Sequence, residues 1–237
     1  MYTGLFDVVN SILQSIIIIA TINYCTKYKK ENVEVVAWGL LLALVTIIIT
    51  YKMGNYSLSI IIMHITGLIL VTVPYHKDKL SATIGFNIAY IAFSLLALMG
   101  GGMWQMYTDM VYVPKEYEFI VMITFMYLPS YIISYLFLRD KNFVYKVNLM
   151  VKSRLASIIS LSIGAFALDF VISFSLITND KDNPVFKEII FLLLVIFVVF
   201  TIGYFASIDK KAKEIHRLNV ELENKINELK KIKHDYG

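Results

Sequence analysis

The sequence predicts an all-α polytopic membrane protein: seven transmembrane helices followed by a cytoplasmic coiled-coil helix. Three observations predict it. Hydrophobic residues fill 58% of the 237 positions and charged residues only 17%, with mean hydropathy +0.67, a balance that excludes an ordinary soluble domain. The apolar residues gather into seven runs, each close to the ~20 residues that about 30 Å of hydrocarbon requires. Past the last run, residues 207–237 turn to a charged helical pattern with apolar residues at heptad spacing.

In lipid a backbone must satisfy its own polar groups, so each run is read as a helix. The spans are expected at 5–24, 34–51, 56–75, 80–103, 117–138, 155–178 and 186–206. The opening MYTGLFD carries no Lys or Arg ahead of the first run, so it lacks the basic region of a signal peptide and the first span is expected to be retained. One cysteine, Cys25, excludes an internal disulfide and reads as a packing residue near a helix end. Pro129, midway along span five, is expected to kink it. No repeat or low-complexity linker is visible, which leaves a membrane domain, 1–206, and a tail, 207–237.

Basic residues orient the bundle. The first, third and fifth connections hold Lys27, Lys29, Lys30, Lys77, Lys79, Arg139, Lys141, Lys146, Lys152 and Arg154. The second, fourth and sixth hold only Lys52, Lys115, Lys181 and Lys187, and the remaining eight of the 22 Lys and Arg lie in the tail. The positive-inside rule then places the tail in the cytoplasm and the N-terminus outside. An odd number of spans fits that assignment.

Three polar residues lie deep in apolar runs: Gln14, His64 and Asp169. An ionisable group at such depth is costly, about 3 kcal/mol for a central Asp on insertion scales, so it is expected to face the bundle interior with a partner. Counted from the outer boundaries of their spans, Gln14 lies nine residues down, His64 eight and Asp169 nine. At ~1.5 Å per residue all three share a layer about 12–14 Å deep. His64 and Asp169 are expected to hydrogen-bond across spans three and six, with Gln14 a candidate third member. The layer serves either as a structural clasp or as a switch whose pairing changes with ligand. Asn87 is read nearer the inner side of span four, outside this layer.

The fourth connection, residues 100–118, is the longest on the outer side and opens with Gly100, Gly101 and Gly102. Its Trp104, Tyr107, Tyr112 and Tyr117 fit an aromatic interface belt. Read functionally, an aromatic loop flanked by glycines offers an adaptable apolar surface for a hydrophobic extracellular ligand.

In the tail, Ile208, Ile215, Leu222 and Leu229 occupy successive a positions of a heptad, with Leu218 and Ile232 at d. Lys211 and Lys225 take the other two d sites and weaken the seam. In this register His234 falls at f, opposite the seam. Ile232, Lys233, His234, Asp235 and Tyr236 stand in the order hydrophobic, basic, His, Asp, Tyr. That run resembles the phosphoacceptor box of the AgrC-type (accessory gene regulator) peptide-pheromone sensor histidine kinases. Gly237 takes the box's variable position, and the family's following Asn lies past the last residue. The multi-span domain and linking helix extend the resemblance over the whole chain.

The resemblance implies a quorum-sensing receptor that binds an extracellular, cyclic autoinducing peptide and acts as a homodimer in a bacterial cell membrane. His234 would be the phosphoacceptor, Asp235 its base or orienting partner, and a cytoplasmic response regulator the recipient. The family's GHKL-type ATP-binding domain has no counterpart here, so the chain is expected to be a sensor half, inactive alone, with ATP and magnesium needed only by the absent domain. No metal site, phosphate loop or nucleophile triad is legible, no cofactor is implied in this chain, and nothing points to nucleic acid. His76 and His216 read as solvated. Two rivals remain: a transporter or channel using the Gln14, His64 and Asp169 layer, and a non-enzymatic membrane scaffold using only the terminal helix.

Overall fold

In the computed structural model every residue is described except Met1, Asn55, Arg154, residues 179–183, Tyr236 and Gly237; for residues 2–5, 126, 130, 133, 137, 138, 141, 175–178, 184–187, 206, 209 and 231–235 the backbone alone is described. The described residues form helices, with no strand among them: α1 (Tyr2–Cys25), α2 (Asn32–Met53), α3 (Ser57–Thr72), α4 (Lys79–Met110), α5 (Lys115–Met122), α6 (Leu128–Arg139), α7 (Lys141–Lys152), α8 (Leu155–Thr178) and α9 (Pro184–Asp235). The chain divides into two units, Met1–Ile190 and Phe191–Gly237.

Five helical stretches are long and apolar enough to cross a membrane: Phe6–Cys25, Asn32–Met53, His76–Met110, Leu155–Phe174 and Glu188–Lys230. Their surfaces suit a membrane. Along α2, Val36, Leu40, Leu44 and Ile48 recur every four residues on an exposed apolar stripe, while Val35, Leu42 and Ala43 are buried.

Expected span three, 56–75, is shorter as a helix. Regular structure in α3 ends at Thr72, just before Pro74, and the chain turns through a 3-10 segment, His76–Asp78. Expected span five, 117–138, lies within three joined pieces. Between α5 and α6 runs a π-helical turn, Ile123–Tyr127, in which the Leu128 N–H reaches the Ile123 carbonyl. Pro129 follows at once, and the wide turn is where the helix makes room for a ring that has no N–H to donate.

Two connections read as loops are helical. Residues 100–110 continue α4, triple glycine included. Each interior glycine costs about 1 kcal/mol relative to alanine, and the helix carries through them with nothing within 4 Å of a Cβ added at Gly101 or Gly102. The basic connection after α6 folds as α7. The Asp140 carboxylate caps its start by accepting from the Phe143 N–H at 2.9 Å. Val144 and Asn148, one turn apart, are buried, and the Asn148 amide donates to the Ser81 carbonyl at 3.2 Å. Nearby, the Lys152 Nζ donates to Asp78 Oδ1 at 2.9 Å and Ser81 Oγ at 2.7 Å.

The apolar core of the first unit lies among α1, α2, α3 and α4, built on Ile19, Ile22, Val35, Leu42, Val71, Tyr75, Ala82 and Phe86. Small residues bring these helices close. A Cβ on Gly39 would stand 2.7 Å from the Ile16 Cα, and one on Gly67 would stand 2.7 Å from the Phe86 Cζ. Cys25 is a buried free thiol, and a Cβ on Gly85 would meet its Sγ at 3.2 Å.

Candidate functional site

The polar layer is assembled on three helices. His64 stands on α3 and Asp169 on α8, both 0% exposed, and their facing atoms, Nδ1 and Oδ2, are 2.5 Å apart. The other carboxylate oxygen of Asp169 accepts from the Tyr90 hydroxyl of α4. On the far edge of the imidazole, Nε2 is 3.4 Å from Asn87 Oδ1, and Asn87 Nδ2 donates to Ser162 Oγ at 3.1 Å. The Ser162 hydroxyl donates to the Ile158 carbonyl at 3.1 Å. The ring of His64 is stacked between Tyr90, centroids 4.1 Å apart, and Phe166, 4.6 Å apart.

Hydrogen-bond directions run consistently through this chain of groups. Because the Ser162 hydroxyl donates to Ile158, its oxygen takes the Asn87 amide, which turns the Asn87 carbonyl oxygen toward His64. Both edges of the imidazole thus face acceptors, Asp169 and Asn87. The contact to Asp169 is the close one and the contact to Asn87 the long one. Burying polar groups of this kind costs several kcal/mol unless their hydrogen-bonding sites are satisfied. Here Tyr90 and Asn87 supply that satisfaction. Chemically the cluster is a clasp that can hold one proton between α3 and α8.

Gln14 is not part of the clasp. It lines a cavity of about 230 Å³ with Ser11, Thr46, Met63 and Tyr90, and the Tyr90 hydroxyl links that cavity to Asp169. Asn87, read from the sequence as lying outside the layer, is in it. Depth had been counted from the edges of apolar runs, and α4, at 32 residues, is far longer than the hydrocarbon needs, so its run does not mark its depth. Tyr90, Ser162 and Phe166 had not been singled out. A signal existed: Asn87 and Tyr90 are three apart on α4, while Ser162, Phe166 and Asp169 follow at i, i+4 and i+7 on α8, each set on one helical face.

The four aromatics of residues 100–118 are dispersed over different elements. Trp104 and Tyr107 ride the last turns of α4, Tyr112 stands 89% exposed in the link, and Tyr117 opens α5. The Tyr107 ring meets Phe125, centroids 5.2 Å apart. A separate cluster joins α1 to the π turn: Phe6 packs edge-on against Phe119 and Tyr127, and the Tyr127 hydroxyl donates to Asp7.

In α9, Ile215, Leu218, Leu222 and Leu229 are each more than half exposed, while Ile208 is half-buried. The backbone is helical through His234 and Asp235, but their side chains and that of Ile232 lie outside the described residues, as do Tyr236 and Gly237. His76 and His216 are exposed. Among the described residues no group of three or more His, Cys, Asp or Glu could hold a metal ion. Compared with known proteins, the chain matches no family model, no curated protein and no solved structure.

Proposed function

We propose that this chain is the sensor half of a peptide-responsive histidine kinase of the AgrC type, acting as a homodimer in a bacterial cell membrane. The observation that carries the reading is the KIKHDYG box at the end of a helix, α9, that begins in an apolar run and continues without proline or glycine from Tyr204 to Asp235. A shift of the apolar part can pass along such a rod to His234. In this reading α3 and the 115–139 stretch cross the membrane with the five longer helices, which makes seven spans, an outer N-terminus and a cytoplasmic tail. The exposed seam of Ile215, Leu218, Leu222 and Leu229 is the dimer contact, because apolar residues at heptad spacing are buried by a second helix.

Peptide binds at the outer ends of the helices, where Trp104, Tyr107, Tyr112 and Tyr117 present aromatic surface. The His64–Asp169 clasp holds α3 to α8 in one of two arrangements of the bundle. His234 accepts a phosphoryl group from ATP held by a GHKL-type domain and passes it to a response regulator, with Asp235 orienting the imidazole.

The transporter reading draws on the same buried pair. It needs a water-filled path along the layer, whereas His64 and Asp169 are fully enclosed and their facing groups are engaged with each other, which favours the clasp. The test fuses a GHKL-type kinase domain after Gly237, reconstitutes the fusion in nanodiscs and follows labelled phosphate with and without spent culture medium. The reading expects label that responds to medium and is lost in His234→Gln. Label that persists in His234→Gln refutes it, and proton or solute flux in liposomes would favour the transporter.

A further inference from the structure

At the opposite end of the first unit from the Asp7–Tyr127 cluster, α1, α2 and α7 enclose a second cavity, of about 600 Å³. That volume is in the range of small-ligand sites, about 300–1,000 Å³. It is lined by Lys27, Lys29, Lys30, Asn32, Asn142 and Tyr145 among others, with no Asp or Glu among the described lining residues. We propose that this cavity binds a phosphate ester, presented either by the headgroup of an anionic lipid or by a soluble metabolite.

The lysine loop is built rather than merely crowded. Asn23 clamps it from the end of α1: its Oδ1 accepts from the Lys30 N–H at 2.7 Å and its Nδ2 donates to the Lys30 carbonyl at 3.1 Å. The Tyr75 hydroxyl donates to the same Oδ1 at 3.2 Å, fixing the Asn23 rotamer. The Lys27 N–H is held by Asp78 Oδ2 at 3.1 Å. Three hydrogen bonds therefore hold the loop that carries three lysines, with Tyr75 bracing Asn23 behind two of them.

The neighbouring acids leave most of this charge uncompensated. Asp78 is engaged by Lys152, and Glu34 by Lys30 at 3.3 Å. Lys27 and Lys29 have no carboxylate partner among the described residues. Just outside, Lys77 lies 5.7 Å from the centre of the Tyr28 ring, adding a fourth cation to the rim. Like charges held together this way repel, and a phosphate is the group that relieves them: each nearby Lys contributes about fivefold to attraction for an anionic membrane surface. The amides of Asn32 and Asn142 supply neutral hydrogen-bonding groups, and Tyr145 an amphipathic ring of the type found at membrane interfaces. The site is independent of phosphotransfer at His234.

The test uses the full chain in nanodiscs. In one arm the lipid is phosphatidylcholine doped with phosphatidylglycerol, and native mass spectrometry counts the phosphatidylglycerol retained on the released protein. In the other the lipid is phosphatidylcholine alone, and calorimetry follows titration with sn-glycerol 3-phosphate. Retention in the first arm only assigns the lipid; binding in the second assigns the soluble ester. In whichever arm binds, the Lys27→Gln, Lys29→Gln, Lys30→Gln triple variant is expected to weaken binding at least about tenfold. A charge-matched control far from the spans, Lys225→Gln, Lys230→Gln, Lys231→Gln, is expected to leave it unchanged. Asn142→Asp, an exposed position on a different helix, places a negative charge in the cavity and is expected to weaken binding also, which decides the matter if the triple variant unfolds. No binding in either arm, or equal losses in the triple variant and the control, overturns the proposal.

Discussion

Replacing Asp169 by Ala strikes the clasp at its most connected point. The carboxylate receives the Tyr90 hydroxyl on one oxygen and faces His64 Nδ1 at 2.5 Å on the other. Its loss leaves two buried donors, and an unsatisfied buried donor costs about 1–3 kcal/mol, more if charged. Summed over the two donors this is a loss of about 2–6 kcal/mol, and an ionic pair broken from one side would cost about 3–5 kcal/mol. His64→Ala is expected to cost a similar amount, because it strands the carboxylate. The double variant removes both charges together, and its cost is expected to fall short of the sum of the singles by about 2–3 kcal/mol. Magnitude then separates the alternatives: interhelical hydrogen bonds in membrane proteins average about 0.6 kcal/mol and reach about 1.7. A coupling above that ceiling marks an ionic pair. The assay is reversible unfolding in mixed SDS and dodecyl maltoside micelles, followed by far-UV circular dichroism. Costs that add within about 0.5 kcal/mol would refute the reasoning.

Two further outcomes follow from packing. Gly39→Ala drives a methyl to 2.7 Å from the Ile16 backbone, which cannot retreat without moving α1, so a loss of about 1–3 kcal/mol is expected in the same assay. Gly164→Ala, with nothing within 4 Å of the added carbon, is expected to be neutral or to stabilise by up to about 1 kcal/mol, and an equal loss at both positions would contradict the close-approach argument. In the tail, Leu222→Lys sets like charges across the a position of the proposed seam. Cross-linking through a cysteine introduced at Lys225, a d position, in a Cys25→Ala background should fall at least about tenfold relative to that single-cysteine parent, and undiminished cross-linking would place the dimer contact elsewhere.

The depth of His64 and Asp169 was legible because hydropathy is a property along the chain: a polar residue eight or nine positions into an apolar run has only the bundle interior to face. Their helical faces were legible too, but not which residues would surround them. Asn87 entered the layer because α4 overruns its apolar segment, and Tyr90 because its hydroxyl reaches across to α8. Likewise the glycines at 100–102 carry a local turn signal that the helix overrides, and the basic connection 139–154 hid a helix whose buried residues, among those described, are Val144 and Asn148.

From its residues alone, this chain is helical and built for a membrane, with a polar pair set deep in it and a charged, heptad-patterned tail. These follow from composition and period, which need no knowledge of neighbours. Tertiary structure alone decided that Asn87, Tyr90 and Ser162 complete the clasp, that α7 docks through Asn148 and Lys152, and that Asn23 gathers three lysines around a cavity. Such choices depend on how far each helix is rotated and tilted against the next, and that is set by the summed packing of all of them, Gly39 on Ile16 and Phe86 over Gly67 included, rather than by any one segment's pattern.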